Sequence, residues 1–254
     1  MNSRKSHKMI FIFLLIAIAI ILPARIIWAE ELSAEQILAK VDKCLNAPQD
    51  QTIRMKLIII DKTGKEAVRE IMIMQKGSDK RIGKFLSPAD QKGIGFLSLP
   101  NNVFYVYLPA YKKTRRIASH IKNSKFAGTD FTYEDMEAKK YTDNWLPKLI
   151  SQDREIYQLE LLPKKGVVTD YGKLILSVRT DNFYPQQIEY YDKTGKLIKK
   201  MISERIEQVD KFWVAKETTM EDFKSGRKTK MILEDVKFNS GIADNVFTER
   251  YLAQ

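Results

Sequence analysis

Apolar and polar side chains alternate along most of the chain, a pattern typical of β-strands with one face in a core. Between Thr52 and Ile59, for example, every odd position is apolar. Turn-forming residues separate these stretches, and the turn sequence Asp-Lys-Thr-Gly occurs twice, at 61–64 and 192–195. About eleven strands are predicted, over residues 53–59, 68–75, 80–86, 93–99, 103–108, 156–162, 171–180, 186–191, 197–206, 212–220 and 228–238. Without a βαβ rhythm, the pattern indicates a mainly β (α+β) fold, an antiparallel meander that curls into a barrel or half-barrel.

One helix is predicted before the first strand. Ser33 and Gln36 have the spacing of a capping box. Ile37, Val41 and Leu45 then form an apolar stripe with helical periodicity, and an Asn and a Pro follow it. A short helix with one apolar face must pack on another element.

Several strands are apolar on both faces, although a half-buried strand needs only one apolar face. Either helices cover the outer face, or the interior is held open for an apolar ligand. Methionines favour the second interpretation, because flexible thioethers adapt to acyl chains of varied shape. The residues predicted to line such a lipid cavity are Met55, Leu57, Met72, Met74, Phe96, Tyr105 and Tyr107.

The N-terminus has the three parts of an export signal. Basic residues at positions 4, 5 and 8 precede an uncharged apolar run from Met9 to Leu22, and Pro23 ends that run. Residues 1–29 are therefore predicted to be a signal peptide cleaved near Ala29, and residues 30–254 a single periplasmic domain. A retained membrane anchor is the alternative, which Arg25 favours, although the run is shorter than the ~20 residues that span a bilayer.

Charge and cysteine content narrow the class of protein. The formal net charge is +11, and removal of residues 1–29 with their four basic residues leaves +7. Such a positive charge favours binding to anionic lipid headgroups or to an acidic partner, or it serves only solubility. Nucleic acid is not an expected partner outside the cytoplasm. Cys44 is the single cysteine, so an intramolecular disulfide is excluded, and its neighbours do not form a lipoprotein signal.

Catalytic and metal-binding motifs are not evident. The best constellation is His120 with Asp130, Glu134 and Asp135, but no known spacing relates these residues. The same carboxylates lack the spacing and the glycine of an EF-hand. We therefore expect a protein that is not an enzyme and that needs no cofactor and no metal.

The stretch from about residue 109 to 150 is long, polar and only weakly periodic. Long excursions from a compact sheet are often lids or binding loops. It begins with a basic run that includes Arg115 and Arg116 and continues into an aromatic-bearing segment with Asp130, Phe131 and Tyr133.

Several motifs in and around this stretch carry a family resemblance. They are Val106-Tyr107-Leu108-Pro109-Ala110, Arg115-Arg116-Ile117, Phe126-Ala127-Gly128-Thr129-Asp130-Phe131-Thr132-Tyr133-Glu134-Asp135-Met136, Ser87-Pro88-Ala89-Asp90 and the ending Val246-Phe247-Thr248-Glu249-Arg250-Tyr251-Leu252. Together they resemble the signature of outer-membrane lipoprotein-sorting, LolA-like proteins. Ala127 and Thr129 stand where Met and Ser are expected, while Gly128 and Asp130 are retained.

The resemblance implies an incomplete, strongly curved antiparallel β-barrel with a few short helices plugging its mouth. It implies a periplasmic carrier of acyl lipid or lipoprotein, which receives cargo from an inner-membrane transporter and delivers it to an outer-membrane acceptor. Lid or partner contacts are then expected at Arg115, Arg116, Asp130, Phe131 and Tyr133. We hypothesise that one of the two arginines holds the mouth closed by binding loop carbonyls or Asp130, and that the other binds a headgroup phosphate or a partner's carboxylate; the alternative is a basic run that is simply solvated. The alternative is a non-catalytic interaction or sensor module of a transporter on the same scaffold.

Overall fold

One antiparallel sheet of thirteen strands dominates the computed structural model, which describes residues 31–254. The strands are β1 (Asp50–Ile60), β2 (Glu66–Lys76), β3 (Lys80–Ser87), β4 (Gly95–Leu99), β5 (Val103–Leu108), β6 (Lys113–Arg116), β7 (Trp145–Gln152), β8 (Ile156–Pro163), β9 (Tyr171–Arg179), β10 (Pro185–Asp192), β11 (Leu197–Val209), β12 (Phe212–Asp222) and β13 (Arg227–Phe238). Three α-helices, α1 (Ala34–Leu45), α2 (Tyr141–Asn144) and α3 (Glu249–Leu252), and three single-turn 3-10 helices accompany the sheet within the described residues.

The chain enters the sheet at its centre. From β1 it steps strand by strand to the edge at β6, crosses to the opposite edge at β7, and returns through β8–β12 until β13 pairs with β1. No pairing among the described strands joins β6 to β7, so the strongly curved sheet stays open. The incomplete barrel predicted from the sequence is confirmed, with thirteen strands rather than about eleven.

The two additional strands, β6 and β7, are the edges of the sheet. The β6 sequence is Lys-Thr-Arg-Arg, and β7 contains Pro147. An edge strand forms only one ladder and tolerates charge and proline. For that reason neither sequence has the alternation that marks the inner strands.

Helix α1 packs on one face of the sheet, here called the inner face. Ile37, Leu38 and Val41 are fully buried in the main core. The predicted capping box is present: the Ser33 hydroxyl accepts from the Gln36 amide at 3.2 Å, and the Gln36 side chain accepts from the Ser33 amide at 2.8 Å.

The connection between the two edges, residues 117–144, is called the crossover segment. It contains a 3-10 helix, Ser119–Ile121, and ends in α2. The buried Asp42 carboxylate of α1 accepts from the backbone amides of Tyr141 and Thr142 at 2.7 and 2.9 Å. The carboxylate thereby caps a four-residue helix that has no side-chain cap of its own.

The outer face of β2–β5 is covered by the end of the chain. Phe247 and Leu252 are buried against Ile82 and Leu97 in a second, smaller core. This cover accounts for the strands that are apolar on both faces, because alternate residues enter two different cores.

The Asp50 carboxylate holds the start of this C-terminal cover. It accepts from the amides of Ser240, Gly241 and Ile242 at 2.8, 3.0 and 3.2 Å. Burial alone would raise the pKa of Asp50, but these amide bonds lower it below its usual range.

The repeated Asp-Lys-Thr-Gly sequence forms the same turn twice. Asp61 accepts from the Thr63 amide at 2.8 Å, and Asp192 accepts from the Thr194 amide at 2.9 Å. Gly64 and Gly195 have φ of 87° and 83°, the left-handed region that glycine adopts without strain.

The predicted signal peptide, residues 1–29, lies outside the described residues. Between residues 31 and 254, no helix combines the length and the apolar content needed to cross a membrane.

Candidate functional site

A cavity of about 330 Å³ lies on the inner face. It is bounded by the end of α1, the later part of the crossover segment and the strands on either side of β1. Its apolar wall comes mainly from β1 and β11–β13 and includes three methionines. The principal residues of this wall are Ile53, Met55, Met201, Trp213, Met231 and Leu233.

The facing wall is strongly polar. Arg81 of β3 contributes its guanidinium, which donates to the Gln75 side-chain oxygen from Nε at 2.9 Å and from Nη2 at 2.6 Å. The crossover segment adds five charged residues to the same wall: Glu134, Asp135, Glu137, Lys139 and Lys140. The cavity thus pairs an apolar wall with an ionic one.

Each carboxylate of the ionic wall has a lysine partner. Asp135 binds Lys199 and accepts from the Tyr171 hydroxyl at 2.9 Å. Burial alone would raise the pKa of Asp135, but the adjacent Lys199 ammonium lowers it below its usual range. Since Lys199 also binds the Tyr171 hydroxyl, these three side chains form one buried unit.

Glu134 and Glu137 share Lys139, whose ammonium lies 3.4 and 3.0 Å from them. Glu137 also binds the buried Lys122. Burial raises the pKa of Glu134, and the Lys139 charge offsets only part of that rise. Such buried ion pairs add little net stability, because the cost of removing both charges from water offsets much of their attraction.

The other half of the inner face is filled rather than open. Phe126 of the crossover segment stacks on Phe85 with ring centroids 5.5 Å apart and meets Phe96 edge-on at 5.2 Å. Tyr133 contacts Phe104 in the same cluster at 5.6 Å. The crossover segment therefore acts as a plug beneath β3–β5.

Two arginines fasten the plug to the sheet through backbone carbonyls. Arg69 of β2 donates to the carbonyl of Ala127, and Arg227 of β13 donates to that of Gly128 at 2.6 Å. The reversal at these two residues places both at positive φ, 47° for Ala127 and 75° for Gly128. The carbonyls are thereby turned toward the arginines.

Asp130 makes a third set of contacts that hold the plug to the sheet. Its carboxylate is fully buried and binds the Lys125 ammonium and the Thr229 hydroxyl, each at 2.8 Å. Arg227 Nε lies 3.7 Å from the same carboxylate. The Asp130 amide donates to the Thr229 hydroxyl at 3.1 Å, so the loop is bound to β13 on two sides.

The structure does not bring the seven predicted cavity residues together. Met55 lines the inner cavity, while Leu57 and Phe96 are buried in the inner core beside it. The other four, Met72, Met74, Tyr105 and Tyr107, lie on the outer face near the end of the chain. Neighbouring residues of a strand point to opposite faces, so no single cavity receives them all.

The predicted lid residues fall into two groups. Asp130, Phe131 and Tyr133 lie together in the plug, where Phe131 is buried in the inner core. Arg115 and Arg116 are exposed on the edge strand β6. In the structure, contacts of the kind hypothesised for one of these two arginines, to loop carbonyls and beside Asp130, are made by Arg69 and Arg227. Nothing in the local sequence pattern distinguishes Arg69 and Arg227 from other polar strand positions.

The remaining residues considered for chemistry, His120 and Cys44, do not line the cavity. His120 is exposed in a 3-10 helix. Cys44 is half-buried on α1, and burial raises its thiol pKa to about 11. No metal-holding cluster of His, Cys, Asp and Glu occurs in the part of the chain that the structure describes.

The fold is shared with several solved structures. A LolA superfamily protein from Nitrosomonas europaea superposes with a TM-score of 0.73 at 24% identity, over 87% of this chain and 99% of that one. A candidate outer membrane lipoprotein-sorting protein domain from Vibrio parahaemolyticus gives a TM-score of 0.78 at 24% identity, over 85% and 97%. A DUF1329 family protein from Desulfovibrio piger gives 0.81 at 26% identity, over 86% and 97%.

A family model described as an uncharacterized protein matches residues 77–254, and the chain belongs to that family. None of the curated proteins matches the sequence.

Proposed function

We propose that this protein is a periplasmic carrier that holds an acyl chain of a lipid or lipoprotein in the inner cavity and moves it toward the outer membrane, in the service of a lipid-exporting transporter. The observation that carries the proposal is the apolar wall with Met55, Met201 and Met231 on the inner face of an open sheet. Thioether side chains adjust to chains of different shape. The fold shared with lipoprotein-sorting proteins supports the same role.

The energetics suit reversible binding. Each buried methylene is worth about 0.8 kcal/mol, so a chain of roughly twelve methylenes gains about 10 kcal/mol before the costs of ordering. A volume of about 330 Å³ is small for a ligand site. A longer chain therefore needs the crossover segment to move away from the sheet.

In this proposal the crossover segment is the lid, and its contacts set the cost of opening. Opening breaks the hydrogen bonds that Arg69 and Arg227 donate to loop carbonyls, as well as those of the buried Asp130 carboxylate. Phe131 and Tyr133 must also leave their apolar surroundings. Binding of the cargo to a competing acceptor offsets the free energy of opening, so binding and release require no catalytic residue and no cofactor. We accordingly propose that the protein is not an enzyme.

Arg115 and Arg116 are proposed to contact the cargo headgroup or a carboxylate on a donor or acceptor protein. Both are exposed on an edge strand, and a guanidinium forms paired hydrogen bonds with phosphate or carboxylate. If variants with alanine at either position bind and transfer lipid like the wild type, this assignment is wrong.

Native mass spectrometry of the protein purified under mild conditions, followed by lipid transfer between vesicles, tests the carrier function. We expect co-purified acyl lipid and measurable transfer. Met231→Trp, which fills the cavity, should abolish both, whereas Val68→Trp at an exposed position of β2 should abolish neither. A wild-type protein that carries no lipid and transfers none would contradict the proposal.

An interaction module is the second candidate, favoured by an apolar patch on the outer face of the β7 edge. Leu146 and Leu162 are paired across β7 and β8 and are 54% and 46% exposed, and Ile150 is 45% exposed. Exposed apolar residues beside an open edge are typical of a docking surface. Substituting both Leu146 and Leu162 with Ser distinguishes the carrier from the interaction module, because a carrier with these two substitutions should still bind lipid.

A further inference from the structure

Arg81 is a cation in the cavity wall whose hydrogen-bond partners are all uncharged. Besides Gln75, its guanidinium donates to the backbone carbonyls of Met136 and Glu137, both at 3.3 Å. Among residues 31–254, no carboxylate lies within ion-pair distance of it, and the Glu137 carboxylate attracts it only from farther away. A guanidinium in a half-buried site ordinarily has an anionic partner.

The neighbouring charges do not compensate for Arg81. Glu134, Asp135 and Glu137 are matched by Lys122, Lys139 and Lys199, whose ammonium groups bind them directly. Arg81 remains, together with Lys140 at the rim of the cavity. The ionic wall therefore has a net positive charge and faces an apolar wall.

Burial disfavours the charged form of Arg81. Loss of water contact lowers its pKa from the usual value to about 10, against the weaker opposing effects of Tyr141 and Glu137. An anion bound to the guanidinium would compensate for the lost hydration of the Arg81 charge, because a charge-assisted hydrogen bond is about twice as strong as a neutral one.

We infer that Arg81 binds the anionic head of the cavity's ligand, and that the ligand is an amphiphile with a carboxylate or phosphate at one end. The head lies on the Arg81–Gln75 side, and the chain lies against Met55, Met201 and Met231. The inference rests on the proposed acyl-chain binding and adds the chemical class of the cargo.

Calorimetry with oleate and with oleyl alcohol, which share a chain and differ in the charge of the head, tests this inference in the full-length protein. We expect the wild type to bind oleate at least ~10-fold more tightly than the alcohol. Arg81→Met should remove the preference, so that this variant binds oleate and the alcohol with equal affinity. Arg81→Lys should retain part of it, and Arg154→Met, a change at an exposed loop position, should retain all of it.

Four outcomes separate the possibilities. Equal binding of oleate and the alcohol by the wild type would overturn the inference but leave acyl-chain binding intact, and this comparison needs no variant to fold. Binding of neither ligand would overturn the proposed function as well. Inorganic phosphate that binds as tightly as oleate, and that depends on Arg81, would identify a free anion as the ligand and overturn the amphiphile assignment. Displacement of oleate by phosphate only at far higher concentration supports it.

Discussion

Replacing Asp130 with alanine should release the crossover segment from the sheet without unfolding the protein. The substitution removes hydrogen bonds to Lys125 and Thr229 at 2.8 Å and leaves Arg227, 3.7 Å away, without its carboxylate. Breaking one side of a buried ion pair costs about 3–5 kcal/mol. Lys125 keeps a second partner, Asp222, at 2.7 Å, so the lower end of that range is expected.

Native-state hydrogen exchange measures this release directly. The amides of Phe126, Tyr133 and Glu134 are bonded within the crossover segment and should exchange about 100-fold faster in Asp130→Ala, corresponding to a loss of about 3 kcal/mol. Amides at the centre of β11 should be unchanged. As a control, Asp181→Ala removes an exposed ion pair with Arg179 and should accelerate neither set.

Two results would refute this reasoning. Equal acceleration of the β11 and crossover amides would show that the segment does not open on its own. Unchanged exchange throughout would show that Asp130 does not fasten it.

Three further predictions concern stability and reactivity. Asp50→Ala should lower the free energy of unfolding in urea by about 2–3 kcal/mol, since three backbone amides lose a charged acceptor. Because the folded-state pKa of Asp50 is lowered, its contribution to stability should be present above the unfolded pKa of about 4 and disappear as pH falls through the folded pKa. This pH dependence should be absent in Asp50→Asn. Phe126→Ala should cost about 3–5 kcal/mol in the same assay, because the ring is 1% exposed among Phe85, Phe96 and Tyr133, and a cost below about 1 kcal/mol would show that the plug is loosely packed. Cys44 should react slowly with a disulfide reagent in the native protein and rapidly in urea, since burial raises its pKa to about 11, and equal rates would contradict its burial.

The sequence pattern was sufficient for the parts of the fold that depend on local periodicity. The α1 capping box, the eleven inner strands and both Asp-Lys-Thr-Gly turns follow from spacing and turn chemistry. Strands β6 and β7 do not, because an edge strand needs neither alternation nor an uninterrupted set of amide donors. Their place in the sheet is set by pairing with β5 and β8.

The site was less predictable for a physical reason. Whether Met55 and Met72 share a cavity depends on which face of a strand each occupies, and both faces of β2 are apolar because the C-terminal segment covers one of them. The sheet residues that bind Ala127, Gly128 and Asp130, which are Arg69, Arg227 and Thr229, lie on β2 and β13, far away in sequence. Such contacts are fixed by the order of strands in the sheet, which periodicity does not encode.

Tryptophan fluorescence tests the central claim, that an acyl chain occupies the inner cavity. Trp145 and Trp213 both line the cavity, and Trp28 is the only other tryptophan of the chain. In a Trp28→Phe background, dibromostearate quenches only tryptophans that its chain touches, and separate Trp145→Phe and Trp213→Phe variants assign the signal. The account predicts saturable quenching of both residues that unbrominated stearate reverses; quenching of neither, or quenching that does not saturate, would contradict it.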